Sequence, residues 1–189
     1  MNSFYSLDEL KELGLQRIGQ NVLISRKASI YNINKICIGN NVRIDDFCIL
    51  SGKITIENYI HIAAYTALYG GDKGIVIRDF ANISSKISIY SISDDYSGET
   101  MTNPMISDKY KNVKSEEVVI ERHVIIGSGC VVLPGVVLRE GSSFGAMTFI
   151  KRDSEPWSIN VGIPFKKIKD RSKELLELEK KLMEEKEER

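Results

Sequence analysis

The sequence has no surplus of either charge: 26 lysines and arginines stand against 26 aspartates and glutamates in 189 residues. A balanced chain lacks the electrostatic footprint of a nucleic-acid binder or of a protein that adheres to an anionic membrane. Cysteine is scarce, and Cys37, Cys48 and Cys130 are too scattered for a disulfide framework or a zinc ribbon, so no metal site is expected. Histidine is scarcer still, with only His61 and His123. Long apolar runs are missing as well. The longest uncharged stretch, Val124 to Leu138, is interrupted by Gly127, Gly129, Pro134 and Gly135 and is too short for a membrane span. The opening MNSFYSLDELKELG has no basic segment leading into an apolar one, so no signal peptide is expected. What is present is a hydrophobic share of 42%, enough to close a core in a chain of one-domain length. The expectation is a soluble, cytoplasmic, globular protein.

The chain's order lies in a repeat of six. Aliphatic anchors fall at Ile38, Ile44, Leu50, Ile56, Ile62 and Leu68, and again at Ile120, Ile126, Val132, Leu138, Phe144 and Ile150. Ile77, Ile83 and Ile89 keep the step between these runs, and Ile18, Ile24 and Ile30 keep it upstream. Four positions after the anchors come small or aliphatic residues such as Val42, Cys48, Thr66, Ala81, Cys130 and Ser142. A step of six does not suit a helix of 3.6 residues per turn, whereas it does suit an extended chain that turns a corner every six residues. Three such sides close a triangular coil of about eighteen residues, and coils stacked roughly 4.8 Å apart share parallel-strand hydrogen bonds. An ordinary β-sandwich would show a period of two and hairpin turns, without phase held over thirty residues. The glycines after the anchors (Gly19, Gly39, Gly127, Gly145) are expected to relieve corners by adopting positive φ.

The breaks in phase are as informative. Leu68 to Ile77 carries three extra residues, and the 31-residue gap from Ile89 to Ile120 predicts a loop thrown out of the prism over about residues 91–117. A stacked coil exposes strand edges at its ends and needs caps. Residues 1–14 supply one, a short helix with Ser6 and Glu9 as a capping box and Gly14 as its stop. The coils then occupy 15–170, and 171–189 supply a C-terminal helix whose Leu175, Leu178 and Leu182 are expected to dock on the core.

The hexads, with GSGCVVLPGVVLREGSSFGAMTFIKRD followed by VGIPFKKI, resemble the hexapeptide-repeat acyltransferases, and in particular the galactoside, maltose, xenobiotic and polysaccharide O-acetyltransferases. The resemblance spans about residues 15–170. It implies an all-β, left-handed parallel β-helix, a homotrimer, acetyl-CoA as co-substrate and sites between subunits. Handedness comes from the resemblance alone, since parallel crossovers are otherwise right-handed. Carried over position by position, it places Ser128, Gly145, Ala146, Lys151, Lys166 and Lys169 against the cofactor. Chemistry agrees, because coenzyme A brings several phosphates and the dense basic cluster of this neutral chain runs through Lys151, Arg152, Lys166, Lys167 and Lys169.

On the acceptor side the sequence departs from the family. The resemblance implies a histidine base at the start of the loop, and that position holds Asp94 within YSISDDYSGETMTNP. An aspartate starts from a pKa near 3.9 and needs help to act as a base at neutral pH. His61 points outward from the prism, so the expected catalytic group is His61 of one subunit oriented by Asp94 or Asp95 of its neighbour. His123 is expected to be a solvated turn residue. Tyr69, Asp72 and Tyr96 are expected to bind the acceptor, Tyr69 and Asp72 because they align with acceptor positions of the family. The main functional expectation is O-acetylation of a hydroxyl on a sugar or polysaccharide precursor. N-acetylation of a nucleotide-linked amino sugar stays open beside it, since an amine that binds neutral needs little from a base. A non-catalytic β-helical scaffold is the third reading.

Overall fold

The computed structural model describes residues 3–187, and the chain in it is a left-handed parallel β-helix. Each coil contributes a short strand to each of three faces. The first face stacks Arg17–Ile18, Ile36–Ile38, residues 54–56, residues 75–77, Val118–Ile120 and Val137–Leu138, all parallel. The second stacks Val22–Ile24, Val42–Ile44, Ile60–Ile62, Asn82–Ile83, Ile125–Ile126, Ser143–Phe144 and Ser158–Val161. The third stacks Ser29–Tyr31, residues 49–51, residues 67–69, Ser88–Tyr90, Val131–Val132 and Phe149–Ile150. The hexad anchors are the inward rungs. Ile24, Ile44, Ile62, Ile83 and Ile126 lie one above another, each fully buried, and each such side chain contributes about 1.5–3 kcal/mol by leaving water. Ile18 and Ile30, in the first coil, are only half-buried because no further coil stacks on them among the described residues.

The corners work differently from the sequence expectation. Positive φ falls three residues after most of the anchors, and it is carried mostly by residues other than glycine: Asn21, Asn41, Phe47, Tyr59, Tyr65, Phe80, Lys86, His123 and Met147. The glycines directly after the anchors serve close approach instead. A Cβ at Gly39 would sit 2.5 Å from the Glu57 carbonyl oxygen, and one at Gly127 would sit 2.6 Å from the Ala146 nitrogen. Backbone of the next coil occupies the space a side chain would need, so no rotamer could relieve the clash.

The N-terminal cap is α1, Leu7–Glu12, and its capping box is present: Ser6 N–H donates to Glu9 at 2.7 Å and Glu9 N–H donates to Ser6 Oγ at 3.3 Å. The first two residues of the expected 1–14 cap lie outside the described residues. At the other end α2 spans Leu175–Glu187, and the last two residues of the expected 171–189 helix lie outside the described residues. Its leucines dock only in part: Leu175 is half-buried, while Leu178 is 65% exposed and Leu182 40%. Polar groups fasten the helix instead. Glu179 accepts from Arg122 and pairs with His123 Nε2 at 2.8 Å, while Lys186 donates to the Tyr59 hydroxyl at 2.6 Å. His123 is therefore a corner residue, as its position requires, but not a solvated one. It is buried against the Phe80 ring (centroids 5.1 Å apart) and covered by Glu179 of α2.

Candidate active site

The loop over 91–117 leaves the third face through a stem in which Ile92–Ser93 pairs antiparallel with Lys114–Ser115. Its base is tied to the prism, with Ser91 N–H donating to the Tyr69 carbonyl at 2.9 Å and Glu116 N–H to the Ser91 carbonyl at 2.9 Å. Between stem and prism lies a cavity of about 440 Å³, lined by Tyr69, Tyr90, Asp94, Tyr96, Val131 and Pro134 among others. Tyr69 and Tyr90 stand on successive coils at the same outward position and stack with ring centroids 5.0 Å apart.

The two neighbouring carboxylates of the loop part company here. Asp95 turns into the loop and accepts from Thr100 Oγ1 at 2.6 Å, Ser97 N–H at 2.8 Å and Thr100 N–H at 3.1 Å. The hydrogen bonds from Thr100 and then Ser97 hold its carboxyl down at about 2, so it is a permanently ionised brace. Asp94 turns to the cavity, exposed, and its carboxylate makes no hydrogen bond or ion pair among the described residues. Tyr96 is 93% exposed at the cavity rim. Asp72 sits apart, paired with Lys35 at 3.2 Å beside a smaller hollow that shares Tyr69 and Ile92 with the main cavity.

His61 is not part of this cavity. It lies on the second face, where Nε2 meets Asp45 Oδ2 at 2.8 Å, and Arg43 Nε donates to the other Asp45 oxygen at 2.7 Å. Partial burial pushes the Asp45 carboxyl up, but hydrogen bonds from His61 and Arg43 outweigh it and keep the group below the ordinary range. Within one chain, then, His61 has its own carboxylate partner, and Asp94 and Asp95 stand elsewhere. The sequence reading missed Asp45; the signal was the eighteen-residue spacing that sets Arg43 beside His61. Tyr90 was missed as well, although it occupies the same outward slot as Tyr69 one coil on.

Three of the residues expected to hold the cofactor, Ser128, Gly145 and Ala146, come together along one edge of the prism, between the second and third faces. Ser128 Oγ lies 3.3 Å from Ser85 Oγ, and the Ser128 carbonyl accepts from Met147 N–H at 2.9 Å, next to Gly145 and Ala146 on the following coil. Gly145 N–H donates to the Asn160 carbonyl at 2.8 Å, one coil further. A Cβ on Gly145 would lie 2.8 Å from Val161 Cγ1. Past that coil the chain passes the cis Ile163–Pro164 bond and returns as an antiparallel strand, Lys166–Asp170. The basic cluster divides by role. Lys167 is held by Asp170 at 2.8 Å and Glu155 at 2.7 Å, which push it up to about 12, and Arg152 donates to the Phe165 carbonyl at 3.0 Å. Lys151, Lys166 and Lys169 are exposed and make no ion pair among the described residues, which leaves their charge for a ligand. The edge and the cavity are near neighbours, since Ser128 precedes the cavity residue Val131 by only three residues.

No family model matches the sequence. Individual relatives do. The chain is 53% identical over 178 residues to a dTDP-4-amino-4,6-dideoxy-D-glucose acyltransferase of Escherichia coli, covering 92% of each chain. It is 54% identical, with a TM-score of 0.96, to the N-acyltransferase AntD of Bacillus cereus crystallised with dTDP and 3-hydroxybutyryl-CoA, covering 99% of this chain and 100% of that one. Galactoside acetyltransferase in complex with coenzyme A shares the fold at a TM-score of 0.56 and 18% identity, over 88% of this chain and 70% of its own. The chain belongs to the hexapeptide-repeat acyltransferases, and it is an acyltransferase. The same relatives correct the main functional expectation. The E. coli relative and AntD, each more than 50% identical over nearly the whole chain, are named for an amino sugar and for N-acyl transfer, which overturns acetylation of a sugar hydroxyl and removes the scaffold reading.

Proposed function

We propose that this protein transfers an acyl group from acyl-coenzyme A to the amine of a dTDP-linked 4-amino-4,6-dideoxy sugar. The observation that carries the reading is an unpaired carboxylate, Asp94, at the loop position where a hydroxyl-directed relative needs a histidine. Hydroxyl acylation needs a base that removes a proton from a very weak acid; an amine already carries its nucleophilic lone pair once neutral. The aspartate that was a defect for the first chemistry suits the second. The likeness to the E. coli acyltransferase and to AntD over nearly the whole chain supports the same assignment.

In this mechanism the amine nitrogen attacks the thioester carbonyl and the new C–N bond forms. The C–S bond then breaks, and the sulfur leaves as the free thiol, taking up the proton that Asp94 has received from the nitrogen. Asp94 accepts the proton that the nitrogen sheds as it becomes an amide, while Asp95 keeps the loop in place through Ser97 and Thr100. Lys151, Lys166 and Lys169 take the cofactor's phosphates, and Ser128, Gly145 and Ala146 line its arm. His61, paired with Asp45, holds the second face rather than the reacting proton. The exposed leucines of α2 and the family's assembly support a homotrimer, and three free cysteines suit a reducing cytoplasm.

The test is to incubate the protein with acetyl-CoA or 3-hydroxybutyryl-CoA and the dTDP-linked amino sugar. Free thiol should appear in step with an N-acylated product by mass spectrometry; thiol release without that product sinks the proposal.

A further inference from the structure

On the outer side of the third face, Tyr31, Ser51, Tyr69 and Tyr90 occupy one column, each in register with the next. Tyr69 and Tyr90 fill adjacent rungs and stack at 5.0 Å. Tyr31 and Tyr69 are two rungs apart, and the rung between them carries only the short Ser51. Rungs repeat every ~4.8 Å, so the missing side chain leaves a gap of about 10 Å. That is the space for one flat ring at the offset-stacked spacing of 4.5–7 Å on either side. A hollow of about 260 Å³ opens at this rung, lined by Ser51, Gly52, Tyr69, Gly71, Asn32 and Lys35.

The hollow is built for a flat polar ligand with an anionic tail. Gly52 and Gly71 put bare backbone on its floor, and a Cβ on Gly52 would lie 2.6 Å from the Gly71 nitrogen. Asn32, held in the left-handed region at φ 55, makes no capping hydrogen bond with its side chain, so its amide has both a donor and an acceptor to offer. Lys35 supplies a cation, held at the rim by Asp72 at 3.2 Å. Tyr69 and Ile92 belong to both this hollow and the cavity of Asp94, so one elongated molecule can occupy the two at once.

We propose that the thymine base of the acceptor seats at the Ser51 rung, stacked on the face of Tyr69 that Tyr90 leaves free. Asn32 reads the edge of the base, and Lys35 meets the phosphates on their way to the sugar amine at Asp94. This rests on the reading of the acceptor as a dTDP-linked sugar and extends it to the residues that recognise the nucleotide.

The decisive variant is Ser51→Tyr, which completes the tyrosine column and fills the seat with the protein's own ring. Calorimetric titration with dTDP should show its Kd raised at least tenfold, in line with the stacking contribution of a base on an aromatic side chain, while the Kd for coenzyme A stays within about twofold. A second pair covers the case in which Ser51→Tyr fails to fold: Tyr69→Phe should bind dTDP as the wild type does, and Tyr69→Ala roughly tenfold more weakly. If the wild type acylates the amino sugar but Ser51→Tyr, or Tyr69→Ala, binds dTDP undiminished, the seat is wrong and the function stands. If the wild type neither binds dTDP nor acylates the sugar, both are overturned.

Discussion

Along the prism the strands of the inner coils are hydrogen-bonded to the coils above and below, whereas the 91–117 loop is held by one short antiparallel stem and by its own polar side chains. The prism's residues are interchangeable within a rule: aliphatic at the anchor, small four positions later, a bare backbone where coils touch. The loop has no such rule. One residue, Asp95, spends its charge on Ser97 and Thr100 so that the next one back, Asp94, keeps its carboxylate for the cavity. Shape is distributed over many equivalent contacts, while chemistry depends on a few that have no substitute.

Truncation should separate the two regions most sharply. Ile62→Ala removes a fully buried rung and should cost about 3–4 kcal/mol, seen as a lower urea midpoint. Val113→Ala, in the loop and 47% exposed, should stay within about 0.5 kcal/mol. Activity should show the reverse order. Asp94→Asn should lower kcat about a hundredfold in steady-state assays, with the urea midpoint unchanged. His61→Asn should stay within about threefold of wild type, because within the chain its Nε2 is taken up by Asp45. A hundredfold loss at His61 with little at Asp94 would return the proton to the imidazole.

The loop's brace has a pH signature of its own. The folded carboxyl of Asp95 sits at about 2, below the ordinary aspartate range, so its contribution is fully present above that range and is lost as pH falls toward 2. Hydrogen-exchange protection of the Ser97 and Thr100 amides should therefore hold from pH 8 to about pH 4 and fall away below it. Thiol chemistry gives the smallest signal. Burial pushes Cys48 up to about 11 and raises Cys130, so a thiol reagent at pH 8 should modify half-buried Cys37 first and the other two only with unfolding.

The contrast also decides what the sequence could disclose. Coils were legible because the same inward geometry recurs, so Ile38 and Ile44 predict what Ile120 and Ile126 do. The edge that gathers Ser128, Gly145 and Ala146 followed from the same register. Corners were misread at one point: glycines assigned to positive φ proved to be where backbones meet, and aromatic and amide side chains took the strained positions. Partnerships between faces and loop were not legible. Nothing in local spacing says that Asp95 will turn inward while Asp94 turns out, or that Glu179 will reach back to bury His123. Those contacts join residues whose separation the repeat does not fix. A loop without a histidine is compatible with either acceptor, so this position by itself leaves amine and hydroxyl both open.

The most direct measurement compares kcat/KM for the dTDP-linked 4-amino sugar and for its 4-hydroxy counterpart, on one preparation with one acyl-CoA. With a carboxylate in place of an imidazole base, the amine should be favoured by about a thousandfold or more. Equal rates, or a preference for the hydroxyl, would contradict the assignment of Asp94 and the function built on it.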